Sequence, residues 1–163
     1  MEGRTWKTNN LLRTIVIDAY QGTTHVLTNI KVESTATGTV SSPTLTVPAG
    51  TITFLIKPDG FLNTLQTINV TNGGTNNFPI ATQIKAGDLI HDGNGTGKNN
   101  ALDYNELLKQ FNKTTSATTP KVTTADLDGS GQVNSLDFSL MLSNWGKCDI
   151  NQTGRAIEAD CAN

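Results

Sequence analysis

Up to about residue 86, β-branched and aromatic residues alternate or cluster between turn signals. Thr14–Tyr20 ends at Gln21-Gly22, and Val26–Val32 follows. Thr39–Val47 runs into Pro48-Ala49-Gly50, and Thr51–Lys57 stops at Pro58-Asp59-Gly60. Leu62–Val70 meets Thr71-Asn72-Gly73-Gly74, and Phe78–Ile84 comes last. Short strands separated by turns every ~8–12 residues predict a small antiparallel β-sandwich over residues 1–86. No helical period is sustained in this half.

The pattern changes in the second half, where the chain overlies itself at an offset of 34 residues. The segment from Asp92 to Tyr104 lies over Asp126 to Phe138, and the register continues without a gap to Asn112 and Gly146. Each copy opens with a polar, Gly-rich loop and closes with apolar residues at helical spacing. Tyr104, Leu107, Leu108 and Phe111 share one predicted face, and Phe138, Met141, Leu142 and Trp145 repeat it. The simplest role for these faces is a core shared between the two helices; the alternatives are a partner groove or a cofactor site. Gly146 suits the end of the second helix. The segments ahead of the loops read as turn and extended chain, so each unit is loop–helix rather than helix–loop–helix. The Thr-rich stretch from Asn112 to Thr124 reads as a linker.

The loop spacing has a chemical reason. Calcium takes six to eight oxygens at ~2.3–2.6 Å, and a 12-residue loop can wrap them around the ion. Positions 1, 3 and 5 are Asp92, Asn94 and Thr96 in the first copy and Asp126, Asp128 and Ser130 in the second. The sharp turn at position 6 falls on Gly97 and Gly131. Lys98 and Gln132 offer backbone carbonyls at position 7, Asn100 and Asn134 stand at position 9, and Asp103 and Asp137 supply the last carboxylate. The second loop carries three acidic ligands and the first only two, which predicts weaker binding in the first. Asn99, where the second copy has Val133, predicts poorer packing there. A competing register opens the first loop at Asp88 and carries an insertion.

A third candidate loop lies in the tail, with Asp149, Asn151, Thr153 and Asp160 at ligand positions but Ile157 at position 9. Cys148 and Cys161 flank it. Neither has a zinc-type partner, so the expectation is a disulfide closing a loop of about 14 residues, contributing up to ~3 kcal/mol. Two surface thiols are the alternative. A disulfide would place the protein outside the reducing cytosol.

Residues 87–146, with both loops and both following helices, resemble type I dockerin modules and their relatives. The resemblance implies that two calcium ions fold the pair and that the module docks onto a cohesin-like domain. It also implies that partner choice depends on Ala101-Leu102 and Ser135-Leu136. The stretch Val47–Thr71 resembles, more loosely, carboxypeptidase-regulatory-like or prealbumin-like sandwiches, which implies a spacer. The expected fold is therefore mainly β plus small α. It comprises an N-terminal antiparallel β-sandwich (1–86), a dockerin-like pair of calcium loop–helix repeats (87–147) and a disulfide-closed tail (148–163).

Charge and composition narrow the function. With 12 basic and 14 acidic residues the chain has no electrostatic footprint for nucleic acid. No apolar run reaches the ~20 residues of a membrane-spanning helix, and Met1–Thr5 does not read as a secretory leader. His25 and His91 are the only histidines, and no nucleophile or Glu pair sits in a catalytic setting. The expectation is a non-catalytic extracellular or cell-surface module, calcium-bound, with a cohesin-like domain or copies of itself as partner. The alternative is a calcium-stabilised subunit of an extracellular fibre, pilus or surface layer.

Overall fold

The computed structural model describes residues 14–33, 44–72, 85–90, 97–114, 125–151, 153–155 and 161. Four strands, β1 (Thr14–Gln21), β2 (Thr24–Glu33), β3 (Gly50–Pro58) and β4 (Thr64–Val70), form one antiparallel sheet in the order β2-β1-β3-β4. The alternation read from the sequence sets its inner face. Ile15, Ala19, Val32, Ile52, Phe54 and Ile56 are buried together, with Ile17, Ile30, Ile68 and Val70 packed against them. Paired positions such as Ile17 with Ile56 and Ile52 with Ile68 bring these side chains to the same face. The outward face of β3 and β4 is polar, with Thr51 Oγ1 donating to Asn69 Oδ1 (2.8 Å) and Thr53 beside Thr67.

Four of the expected strands are present within a few residues. The strand expected at Leu62–Val70 starts at Thr64, because Phe61 and Leu62 turn away to meet residues 85–86: Phe61 bridges Ala86, and Leu62 N donates to Lys85 O at 2.8 Å. Thr39–Val47 lies partly outside the described residues. Its described end, 44–47, has no regular structure, although Leu45 and Val47 still cover the sheet core. Phe78–Ile84 lies outside the described residues. Among the described residues there is a single sheet; no second sheet completes a sandwich.

Helices α1 (Ala101–Gln110) and α2 (Ser135–Ser143) follow the loops. Both start alike. The Asn100 and Asn134 side chains accept from Leu102 N (2.7 Å) and Leu136 N (2.8 Å), while Asp103 and Asp137 accept from the backbone N–H of the two asparagines. These reciprocal caps satisfy N–H groups that the helix itself cannot. Both helices also end alike, at left-handed Asn112 (φ 63°) and Gly146 (φ 75°).

The repeat produces a local two-fold arrangement. Gly146 N donates to Asn99 O and Asn99 N to Lys147 O; Asn112 N donates to Val133 O and Val133 N to Lys113 O. Each loop is thus stitched to the end of a helix, the first to α2 and the second to α1. Asn99 is fully buried, and its Nδ2 donates to Met141 O at 2.6 Å. The amide expected to pack poorly therefore latches the first loop to α2.

The helical half has its own core: Leu89, Leu107, Ala125, Leu127, Val133 and Met141, joined by Phe61 and Ala86. Phe61 belongs to the turn after β3, so the sheet half contributes an aromatic ring to the core of the helical half. Gly60, at φ 84°, makes that turn, and its carbonyl accepts from Gly87 N at 3.0 Å.

Candidate metal centre

The second loop gathers Asp126, Asp128 and Asp137, with one carboxylate oxygen of each within 4.8 Å of the others. All three are buried. The loop's own backbone orients them. Ser130 N donates to Asp126 Oδ1 (3.1 Å) and Asp128 Oδ1 (2.9 Å), and Gly131 N to Asp126 Oδ2 (3.0 Å). Asp137 reaches back from the first turn of α2, accepting from Asp128 N (2.9 Å) and Asn134 N (2.8 Å). Gly131 makes the sharp turn at φ 90°, as its loop position requires. Burial raises Asp137 above the usual carboxylate range; the hydrogen bonds from Asn134 and Asp128 oppose this, and the neighbouring carboxylates of Asp128 and Asp126 add to it.

The remaining expected ligands fall close by. Asn134 uses Oδ1 for the helix cap and points Nδ2 toward Gln132 O at 3.3 Å; that carbonyl also accepts from Ser130 Oγ at 3.1 Å. Buried hard-oxygen donors with so few positive charges among them suit a hard divalent cation, since buried carboxylates need a cation or strong hydrogen bonds to stay ionised. These donors fit calcium.

The first loop differs. Asp92, Asn94 and Thr96 lie outside the described residues, while Lys98, Asn100 and Asp103 lie inside. Asp103 Oδ1 accepts from Leu89 N (2.8 Å) and Ile90 N (3.0 Å), just as Asp137 Oδ1 accepts from Asp128 N. Leu89 shares the core with Leu127. Asp88 thus precedes a core leucine as Asp126 does, the relation that the competing register has, while Asp92 lies outside the described residues. Asp88 to Gly97 is then four residues longer than Asp126 to Gly131, and Ile90 stands where the second loop has Asp128. Burial raises Asp103 too, against the opposing hydrogen bonds from Ile90 and Asn100. Among the described residues, only the second loop brings three acidic groups within 4.8 Å of one another.

Asp88 is buried beside two groups that belong to other parts of the chain. Lys57 Nζ, from the end of β3, lies 3.1 Å from Asp88 Oδ2 and 2.5 Å from Asp149 Oδ2. Asp149 Oδ1 accepts from Asn63 N at 2.7 Å, and Asn63 is bound on both sides to Ile150: Nδ2 donates to Ile150 O and Oδ1 accepts from Ile150 N, each at 2.7 Å. Burial alone would lower Lys57, but its hydrogen bond to Asp149 and the charges of Asp149 and Asp88 outweigh burial and hold the ammonium above its usual range. A lone lysine at a strand end gave no sign of this in the sequence. For Asp88 the pairing of Gly87-Asp88-Leu89 with Ala125-Asp126-Leu127 was a usable signal.

The tail is closed by a Cys148–Cys161 disulfide, so the expected pairing is present and neither cysteine is a free thiol. Of the third candidate loop, Asp149 is engaged with Lys57 and Asn63. Asn151 Oδ1 accepts from Thr153 N (2.9 Å), Thr153 Oγ1 (2.7 Å) and Arg155 N (3.1 Å). That is a local polar turn. Asp160 lies outside the described residues.

The helix faces depart from expectation. Leu107 and Met141 are buried and Tyr104 packs on Phe138, with ring centroids 5.4 Å apart. Leu108, Phe111, Leu142 and Trp145, expected in the shared core, are exposed instead, together with Leu102 and Leu136, at 39–53 %. The reason is geometric. Successive helical residues turn by about 100°, so once Leu107 and Met141 point inward, their neighbours Leu108 and Leu142 swing outward. The six exposed residues are three repeat-related pairs, 102/136, 108/142 and 111/145. Ala101 and Ser135, beside Leu102 and Leu136, are exposed as well. No described helix is long and apolar enough to cross a membrane.

No curated protein matches the chain. Among the solved structures similar to it are two of one complex. Both are interface mutants of a type II Cohesin–X–Dockerin complex from Acetivibrio cellulolyticus, one altered at the C-terminal interface and one at the N-terminal interface. They are 22% and 21% identical, each with 83% of both chains covered and a TM-score of 0.48. Residues 90–145, roughly a third of the chain and including both α1 and α2, match the family model of the dockerin type I domain.

Proposed function

We propose that the chain is a non-catalytic, calcium-dependent docking module whose partner is a cohesin-type protein domain. The observation that carries this reading is the set of six exposed apolar residues on or just past α1 and α2, repeated at the same three positions of the 34-residue offset. Large apolar side chains left exposed at equivalent positions of both copies are candidates for partner contact. The dockerin type I match over the same residues supports it. These positions are Leu102 and Leu108 on α1 with Phe111 just past its end, and Leu136 and Leu142 on α2 with Trp145 just past its end; Ala101 and Ser135 stand next to the first of each set.

Calcium is the cofactor of this reading. Asp126, Asp128, Ser130, Asn134 and Asp137, with the carbonyl of Gln132, would hold it in the second loop. Bound there, calcium would supply positive charge to three buried carboxylates, one of which, Asp137, stands on the first turn of α2. For the first loop the sequence offers Asp92, Asn94, Thr96, Lys98, Asn100 and Asp103, and the register of the described residues adds Asp88. The disulfide in the tail supports an extracellular or cell-surface setting.

Binding of the whole chain to a broad panel of cohesin domains, by calorimetry in calcium and again in EDTA, tests the proposal. Capture in calcium that is lost in EDTA is expected. Failure of the folded, calcium-loaded protein to bind any member of the panel would overturn it.

A further inference from the structure

We propose that the Lys57 ammonium is the built-in cation of the first half-site, so that the protein binds calcium in the second loop only. The inference rests on the calcium reading of that loop. Its starting point is the likeness of Asp88 and Asp126: each precedes a core leucine, and two residues after each a backbone N–H is donated to the buried carboxylate of the next helix. In the second loop the Asp126 carboxylate faces Asp128 and Asp137. In the first, the Asp88 carboxylate faces Lys57 Nζ at 3.1 Å, and the same ammonium donates to Asp149 at 2.5 Å.

The surroundings are built for that ammonium. Gly97, the counterpart of Gly131, leaves no room for a side chain: a Cβ there would lie 2.8 Å from Asp88 Oδ2 and would overlap Asp149. Asp149 is held in place by Asn63 N on its other oxygen and by its own N–H on Gly97 O (2.6 Å). The neighbouring disulfide and the bridge between Lys98 and Cys148 fix the tail that carries it. Lys57 is fixed in turn by the sheet, paired with Val16 on β1.

An ammonium and a calcium ion ask for the same thing here, oxygen donors converging on a small positive centre, but the ammonium carries one charge instead of two. The first half-site matches the lower demand. Ile90 stands where Asp128 supplies a carboxylate. Among the described residues Asp88 and Asp149 face the ammonium while Asp103 is taken up by N–H donors from Leu89, Ile90 and Asn100, whereas in the second loop three carboxylates lie within 4.8 Å of one another. A covalently tethered cation cannot be removed by chelation. The contact between the sheet, the first loop and the tail therefore persists when calcium is absent.

Calorimetric titration of the whole chain with calcium chloride tests this, on the wild type and on Lys57→Met, which keeps most of the apolar stem and removes the charge. One ion per chain for the wild type and two for Lys57→Met are expected. Two ions in the wild type overturn the proposal, and so does a Lys57→Met variant that still takes one. No ion at all refutes the calcium reading itself, a result distinct from either. A second measurement does not depend on the variant folding. In the calcium-saturated wild type the Lys57 Nζ protons are expected to give a resolved, slowly exchanging NMR signal; an exchange-broadened ammonium overturns the assignment.

Discussion

The three carboxylates of the second loop set up a charge experiment whose sign differs from that of an ordinary ligand knockout. Asp128→Asn keeps the shape of the side chain and an oxygen that can still accept from Ser130 N, a contact now 2.9 Å long. It removes one of three charges that lie within 4.8 Å of one another. At an effective dielectric of 20, each such pair repels by about 3.5 kcal/mol, or about 10 kcal/mol for the three pairs together. That is comparable with the whole stability of a small domain. The calcium-free protein must therefore relax the loop or protonate a carboxylate, which leaves about 1–2 kcal/mol as the expected residual strain. Removing Asp128's charge deletes two of the three pairs. In EDTA, Asp128→Asn should melt roughly 2–8 °C above the wild type. In calcium the order reverses. At a hundredfold excess over Kd the wild type gains about 2.7 kcal/mol, roughly 5–10 °C for a chain of this size, and the variant gains little. Scanning calorimetry of both proteins in both buffers reads all four values. A variant less stable than the wild type in EDTA would refute the reasoning, because the carboxylates would then be stabilising the fold without their ion.

Other outcomes follow from the same geometry. Met141→Ala, at a fully buried position in the helical core, should cost about 2–5 kcal/mol in denaturant unfolding, whether calcium is present or not. Trp145→Ala should leave the melting temperature nearly unchanged, since the ring is 45% exposed, but weaken cohesin binding by roughly 30-fold, the equivalent of about 2 kcal/mol. Burial holds Asp137 above its ordinary value. The calcium-free fold should therefore gain stability from this group as pH falls through its raised value toward ~4, and lose it as pH rises. Calcium requires the ionised form, so its affinity should fall over that same acidic interval; melting curves that move in parallel in EDTA and in calcium would contradict this.

The parts of this protein that local chemistry dictates could be read from the sequence. A twelve-position loop running into a capped helix is fixed by neighbours a few residues apart. Both helices and the stop of the second at Gly146 accordingly emerged within a residue or two of their expected places. Four strands did so because period-two alternation and the Pro-Asp-Gly turn are equally local. Which of two adjacent apolar residues faces inward was not legible. Leu107 and Leu108 are chemically the same, and only the placement of α1 against Met141 and Phe61 distinguishes them. The register of the first loop was not legible for a related reason, and Asp92 itself lies outside the described residues. The unbroken 34-residue offset favours Asp92 as its start, whereas the donors to Asp103 come from Leu89 and Ile90, a preference visible only once the helix lies over the chain that precedes it. Lys57 and Asn63 were beyond reach, because their partners lie 92 and 87 residues away.

Phe61 has a bearing on how this protein could be cut and recombined. Dividing the chain at the sequence-level boundary, near residue 86, would send the ring away with the sheet and leave Leu89, Leu107 and Met141 lining an open notch. A fusion tag made from the helical half alone would begin life with that wound, prone to sticking to its neighbours. A graft that also carries the turn from Pro58 to Asn63 brings its own plug. The transferable cassette is therefore defined by where the aromatic ring ends up, and its natural border runs inside the sheet half.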